Sequence, residues 1–392
     1  MSRTKTYSVL WLASWYPNKY DPYNGDFIQR HAIAVATYCQ LQVIHIQFVP
    51  ASWQSTFVQS EVIQQSNFSE TIIYLRQSNL PSPFNKMIDQ WNYTQTLKKA
   101  ATVYIDQHTN TSIVHVHVPV KAGIIGLWLK RKKQLKLVVT EHWGIYNDHA
   151  PDKFVTRNYW FKNLVTQVIK QADVFLPVSK NLGNAVNQLV IEKPYQVLYN
   201  VVDTTIFYPK QSSTSSPLFW FAHVSLMNEP KNPEGLLRAL TKAVKTNNLL
   251  RLRMIGNAQQ SLIDFTQELG IAEHVSYTGM LPQKEVAKLL QESNAFVLFS
   301  NYENMPCSIA EASCCGLPVI STNVGGIAEI IDDSNGILVH PKDETALTKA
   351  LLQLASEADR YNQTDIATTA ANRFGNAQVG QQLKKIYDDL IS

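Results

Sequence analysis

The stretch "SNYENMPCSIAEASCCGLPVIST", Ser300–Thr322, follows the apolar run "NAFVLFS" and closes on "LPVIST". The two apolar runs read as strands and the small-residue segment between them as a helix. Strand, helix, strand in a compact domain implies parallel strands. Pro306 suits the first helical turn, Asn304 is the candidate cap, and Gly316 followed by Pro318 marks the helix end. Backbone N–H groups along 304–308 have no partner inside such a helix, so they suit an anion such as phosphate. Glu303, in the loop, and Glu311, along the helix, then border one crevice. Ionised carboxylates are poor partners for phosphate but good acceptors for sugar hydroxyls, with bonds about twice as strong as neutral ones. The pair therefore suggests a ligand with hydroxyls on both sides of a diphosphate, which describes a nucleotide sugar.

The same alternation runs along the whole chain. "YSVLWLA", "LQVIHIQFV", "SIVHVHV" and "ADVFLPVS" read as strands between helical segments such as "DFIQRHAIAVATYC" and "AGIIGLWLKRKK". A Ser/Thr/Pro stretch, "TTIFYPKQSSTSSP", interrupts this after Asp203, and the alternation restarts at "LFWFAHVS". A length of 392 residues exceeds one ordinary core, so two doubly wound domains facing a cleft are expected. We place the N-terminal domain at 1–205 and the C-terminal one at 206–375, with a final helix of about 376–392 packing back on the first. Ligands of such sheets bind beyond the carboxyl ends of the strands. No GxGxxG follows the first strand and no Walker A lysine loop occurs, which removes the main support for dehydrogenase and P-loop readings.

Hydrophobic residues make up 45% and charged residues 17%, a globular balance, and no apolar run is long enough to span a bilayer. The N-terminal apolar run reads as a first strand, because it lacks a signal-peptide cleavage pattern. Cys39, Cys307, Cys314 and Cys315 show no ligand spacing and read as reduced thiols, which implies a cytoplasmic protein. Residues 1–205 hold 20 Lys and Arg against 12 Asp and Glu; the remainder holds 15 against 19. The basic first half, with "KRKKQLK" at Lys130–Lys136, suits an anionic membrane surface, although a solvated helix end explains that run equally well. Nothing accompanies the charge that would point to nucleic acid.

The C-terminal half resembles the retaining glycosyltransferases of family 4, which have the GT-B fold of two Rossmann-like domains. Glu303 and Glu311 form the family's E-x7-E, followed in order by G-x-P-V-I, by G-G-x-x-E-I-I and by N-G. "VLYNVVDTTIF" resembles its turn before the second domain, "RMIGNA" its strand ending in Gly256, and "VSYTGML" its strand–glycine turn. The resemblance implies that Glu311 binds the nucleotide ribose and Glu303 the hydroxyls of the donor sugar. It implies that Asn304, Met305, Pro306, Cys307 and Ser308 hold the diphosphate or sugar through their backbone. It assigns the base to main-chain groups of Gly279, Met280 and Leu281, and the leaving diphosphate to Lys231. Many members carry Gly-Arg six residues before that lysine, where this chain reads Val224-Ser225. Ser225 lacks the expected cation, so Lys231, helix N-termini, His223 or a group from the first domain must compensate.

In the first half, Gly25 and Asp26 match the family's loop beside the donor phosphate, and His142 matches a strand-end histidine that contacts the donor sugar. Trp143 and Tyr146 are either sugar-stacking or core aromatics, and His115 and His117 read as packing or rim residues. The implied reaction is metal-independent transfer of a hexosyl unit with retention, from a UDP- or GDP-sugar co-substrate to a glycan or lipid-linked acceptor in surface polysaccharide synthesis. No cofactor is implied. Lys231, Glu303 and His142 are the expected catalytic groups, acting through electrostatics on the departing phosphate and the sugar. Two other readings are a sugar-nucleotide epimerase of related fold, which would react without an acceptor, and a non-catalytic subunit that binds a sugar nucleotide without turnover.

Overall fold

A computed structural model of the chain describes residues 7–50, 52–53, 60–65, 67–147, 150, 152–210 and 216–392. The first sheet contains β1 (Ser8–Ala13), β2 (Gln40–Val49), β3 (Ser60–Gln65), β4 (Phe68–Arg76), β5 (Thr111–His117), β6 (Lys136–Glu141) and β7 (Val174–Pro177). Its order is β3-β4-β2-β1-β5-β6-β7, parallel except for the edge strand β3. Around it lie α1 (Asp26–Ala36), α2 (Phe84–Gln107), α3 (Lys121–Lys133), α4 (Tyr159–Gln171) and α5 (Lys180–Leu189).

The second sheet contains β8 (Phe219–Val224), β9 (Leu250–Ile255), β10 (Val275–Gly279), β11 (Ala295–Leu298), β12 (Val319–Thr322) and β13 (Gly336–Val339). Its order is β10-β9-β8-β11-β12-β13, parallel throughout. Helices α6 (Pro233–Thr246), α7 (Gln260–Glu268), α8 (Gln283–Gln291), α9 (Cys307–Cys314), α10 (Glu344–Ser356) and α11 (Gln363–Phe374) surround it. Two doubly wound α/β sheets are thus observed, as their strand–helix alternation requires.

Every residue of β1 is buried, and the two-residue period of the strand divides them between two cores. Leu10 and Leu12 join Leu97 and Ala101 of α2 and Ile125 of α3. Val9 and Trp11 join Ile28 and Val35 of α1, together with Leu383 and Tyr387 of the last helix, α12 (Asn376–Ile391). That helix leaves the second sheet and lies against the first. Tyr387 fixes it there, accepting from Trp11 Nε1 at 3.0 Å and meeting His115 Nδ1 at 2.7 Å. In the second sheet the strand order reverses between β8 and β11, and the loops leaving these two strands, 225–232 and 299–306, carry the candidate site.

The basic run lies at the end of α3, away from the carboxyl edge of the sheet. Lys130 pairs with Asp173 and Lys133 with Asp106, and Arg131 donates to the neutral Gln171, so two of the run's five cations are paired within the domain. All four cysteines are free. Among the described residues no helix is long and apolar enough to cross a membrane.

Candidate functional site

Helix α9 begins two residues later than its sequence suggests. Cys307 is its first residue and Pro306 occupies the capping position, while Asn304 does not cap the helix. Asn304 reaches across instead: its Nδ2 donates to the backbone oxygen of His142 at 2.8 Å. The loop that holds Glu303 and Asn304 rests on the two glycines after β12. A Cβ at Gly325, where φ is +56°, would lie 1.8 Å from the Glu303 oxygen, and one at Gly326 would lie 2.5 Å from the Asn304 oxygen. Only glycine permits that approach.

A cavity of about 350 Å³ opens between the carboxyl edges of the two sheets. His142, Lys231, Glu303, Asn304, Met305, Pro306 and Cys307 line it, joined by Phe27, Gly144, Asn200 and Tyr302. Glu303 is buried and accepts from Lys231 Nζ at 2.5 Å and from Ser300 Oγ at 2.7 Å. The ammonium donates to the carboxylate and keeps further protons for a ligand. Burial pushes the Cys307 thiol up to about 12, so it is neutral at physiological pH.

Glu311 does not line this cavity. It is buried beside it, and its Oε1 is held by Nη1 of Arg30, a residue of α1 in the other domain. Arg30 Nη2 also pairs with Asp26 at 2.6 Å. With the Gln283 amide oxygen turned toward it, the guanidinium donates there from Nη2 at 3.1 Å and Nε at 3.2 Å. Burial disfavours the Arg30 charge, but Glu311 and Asp26 outweigh it and hold the guanidinium above its ordinary range. Nothing in the sequence singles out this arginine among the polar residues of an amphipathic helix. Gly25 starts that helix at φ +66°, where a Cβ would meet the Trp15 backbone at 2.8 Å.

Ser225, Gly256 and Gly279 line up at the carboxyl ends of β8, β9 and β10, with Ser225 N donating to Ile255 O and Gly256 N to Gly279 O. Met280 is exposed after them, whereas Leu281 is partly buried against the core. Ser225 Oγ accepts from Met227 N at 2.9 Å and meets His223 Nε2 at 2.6 Å. His223 is fully buried, and burial lowers it to about 4, so it carries no charge at neutral pH. It therefore does not replace the cation missing at Ser225.

On the first-domain wall, Glu141 is the residue behind His142. Its carboxylate accepts the N–H groups of His142 and Trp143 and the Tyr146 hydroxyl, each at 2.8 Å, which assigns Tyr146 to the core. Burial raises Glu141 to about 7 against these three donors. His115 and His117 are fully buried beneath the site. Glu329 binds the domains at a further point, accepting the N–H groups of Lys180 and Asn181 at 2.8 and 2.7 Å on the positive end of α5. Among the described residues no three His, Cys, Asp or Glu side chains converge as metal ligands would.

Two parallel sheets, a cleft at their switch point and paired acidic and basic groups on its walls define a glycosyltransferase of GT-B type. Comparison with known sequences agrees: the profile for "Glycosyltransferase Family 4" matches residues 28–206 and that for "Glycosyl transferases group 1" matches 207–370. The chain belongs to the family 4 glycosyltransferases. It is 26% identical over 302 residues to the N-acetyl-alpha-D-glucosaminyl L-malate synthase of Bacillus anthracis, covering 73% of this chain and 77% of that one. An uncharacterized glycosyltransferase of Methanocaldococcus jannaschii is 24% identical, over 71% and 75% of the two chains. Among solved structures, sucrose-phosphate synthase from Thermosynechococcus elongatus superposes with a TM-score of 0.78 at 16% identity, covering 98% and 99%. Anabaena HepE in complex with UDP gives 0.72 at 15%, covering 97% and 100%.

Proposed function

We propose that this glycosyltransferase moves a hexosyl unit, with retention and without a metal ion, from a UDP- or GDP-sugar to a glycan or lipid-linked acceptor in surface polysaccharide synthesis. The observation that carries the reading is the Lys231–Glu303 pair on the wall of the inter-domain cavity, one helical segment from Glu311. In this reading the backbone along 304–308 and Lys231 hold the diphosphate, with Gly25 and Asp26 across the cleft. Glu303 and His142 hold the sugar, and Glu311 takes the ribose. Gly279, Met280 and Leu281, beyond Ser225 and Gly256, meet the base.

As the bond from the anomeric carbon to phosphate oxygen breaks, its electron pair goes to the phosphate, whose charge Lys231 balances. The acceptor hydroxyl oxygen bonds to the same face of that carbon and passes its proton to the departing phosphate oxygen. Arg30 is a first-domain cation at this site, but Glu311 and Asp26 already meet its charge, so Lys231 and the backbone N–H groups along 304–308 compensate for Ser225 in this reading. The bank between β4 and α3 suits an acceptor carried at an anionic cytoplasmic membrane surface, because the first turns of α2 expose Phe84, Met87, Ile88 and Trp91 beside Lys86.

The test is a panel of UDP- and GDP-sugars by calorimetry, then mass spectrometry of products with lipid-linked acceptors. Glu303→Ala is expected to abolish transfer and spare nucleoside diphosphate affinity, whereas Glu311→Ala weakens the nucleotide as well. Equal losses in both variants would refute this division of labour.

A further inference from the structure

At the edge of the first sheet opposite the cleft, α2 does not cover an apolar face. Near the middle of the sheet it does: Ile44 and Ile46 of β2 join Tyr93 and Leu97 of α2 in one cluster. Toward the strand starts the same face carries Gln42 of β2, Ser69 of β4 and Gln64 of β3, set side by side by their register. A cavity of about 470 Å³ opens between this polar row and Thr96, Lys99, Val103 and Gln107 of α2. That volume lies within the range of small-molecule sites, about 300–1,000 Å³. Roughly 20 Å of β2 separates Gln42 from the carboxyl edge, so the groove is distinct from the candidate site described above.

Gln42 is more than nine-tenths buried, yet its amide is only half satisfied. Nε2 uses both protons, donating to Val43 O at 2.8 Å and to Thr71 Oγ1 at 3.0 Å. That fixes the amide's orientation and leaves Oε1 on the cavity wall as an acceptor without a partner. Thr71 Oγ1, having accepted, keeps its own proton to donate. Tyr104 and His108, at the last turn of α2, line the cavity as a stacked pair with ring centroids 4.2 Å apart, and the buried Tyr104 hydroxyl also lacks a hydrogen bond. The side chains of Gln64, Ser69 and Gln107 form no hydrogen bond among the described residues.

Among the described lining residues there is no carboxylate, and Lys99 is the one ammonium or guanidinium group. A phosphate or an acidic peptide would meet too little positive charge here, and a lipid chain would leave the amides unpaired. A neutral wall that both donates and accepts, beside the apolar side chains of Ile44, Ile73 and Ala100, instead matches a sugar, whose hydroxyls do both and whose C–H face is apolar. We infer that this groove is a second carbohydrate site, which holds neutral hexose units of a glycan chain away from the transfer cleft. Gln42 Oε1 accepts from one sugar hydroxyl, Thr71 donates to another, and Gln64 and Gln107 close on the chain from the open side. A glycan held there has a raised effective concentration at the cleft. The inference goes beyond the donor reading above and requires no residue of the cleft.

The probes are maltotriose, cellotriose, mannotriose and chitotriose, titrated into the full chain and read by saturation-transfer NMR and calorimetry. At least one is expected to bind and to shift the side-chain amide resonances of Gln42, a readout that needs no variant. Gln64→Ala combined with Gln107→Ala, both at exposed positions, is expected to weaken that trisaccharide about tenfold while UDP binding changes less than about twofold. Glu303→Ala is expected to leave trisaccharide binding unchanged. The inference is overturned if none of the four binds at about 10 mM, if the Gln42 amide does not respond, or if the double variant binds as the unaltered protein does, which would leave a solvated groove only. Loss of trisaccharide binding in Glu303→Ala would overturn it too, by moving the sugar to the cleft. Failure of the unaltered protein to bind UDP or GDP would refute the donor reading and leave the groove to be decided by the trisaccharides alone.

Discussion

Glu303 and Glu311 are eight positions apart, yet their carboxylates are held by cations of different domains, Lys231 for one and Arg30 for the other. The second pair is largely buried, with side-chain exposures of 14% for Arg30 and 7% for Glu311. Removing one partner of such a pair leaves an uncompensated charge, at a cost of about 3–5 kcal/mol. Arg30→Ala is therefore expected to lower the urea midpoint by that equivalent and to weaken UDP or GDP binding in calorimetry. Arg30→Lys is expected to recover little, because one ammonium does not serve Glu311, Asp26 and Gln283 from three separate nitrogens. The glutamates were legible in the sequence because their spacing and neighbours form a local pattern. Arg30 and Asn200 were not, since each acquires its meaning from an atom more than 100 residues away.

Among the elements, the turn after β12 shows how local geometry places the groups of the candidate site. Gly326→Ala would set a methyl 2.5 Å from the Asn304 oxygen and 2.6 Å from the Ser179 Cβ. Overpacking of this kind costs about 1–3 kcal/mol. The expected outcome is a lower unfolding midpoint together with a raised donor KM, as the 303–307 loop shifts; an unchanged KM would separate the turn from the loop. Helix α2 shows the opposite case, an element the sequence concealed. Tyr93, Leu97, Ala101 and Tyr104 form its buried face, but exposed Phe84, Met87, Trp91 and Val103 blur the contrast between faces. The edge strand β3 was hidden for a related reason: Val62 and Ile63 are both exposed, so no alternation marks it.

At the scale of the whole molecule, six of the buried histidines among the described residues, His31, His45, His115, His117, His142 and His223, are lowered by burial. The unfolded chain binds their protons near pH 6.5 and the folded one only at lower pH. Stability is thus present above pH 6.5 and lost as pH falls toward the folded values, by up to about 1.4 kcal/mol per pH unit for each group. Glu141, raised to about 7, acts in the other direction, losing stability as pH rises from its ordinary carboxylate range. Six outweigh one, so the melting temperature is expected to fall steeply between pH 6.5 and 5, and replacing His117 by Gln should flatten that slope. The last helix closes the molecule through the same cluster. Tyr387→Phe leaves Trp11 Nε1 and His115 Nδ1 without their partner. A loss of about 1–3 kcal/mol is expected in chemical unfolding.

The sequence by itself determined the two parallel sheets, because strands and helices there alternate with their own periods and each period is a property of neighbouring residues. It also determined the position of the candidate-site loop, since a strand end, a helix start and two carboxylates fall within twelve residues of chain, 300–311. Only the tertiary structure decided which groups complete that loop. Arg30, Asn200 and the His117–His142 pair come to it from other elements across a domain boundary. Burial then decided which of them are charged, and no spacing along the chain encodes burial.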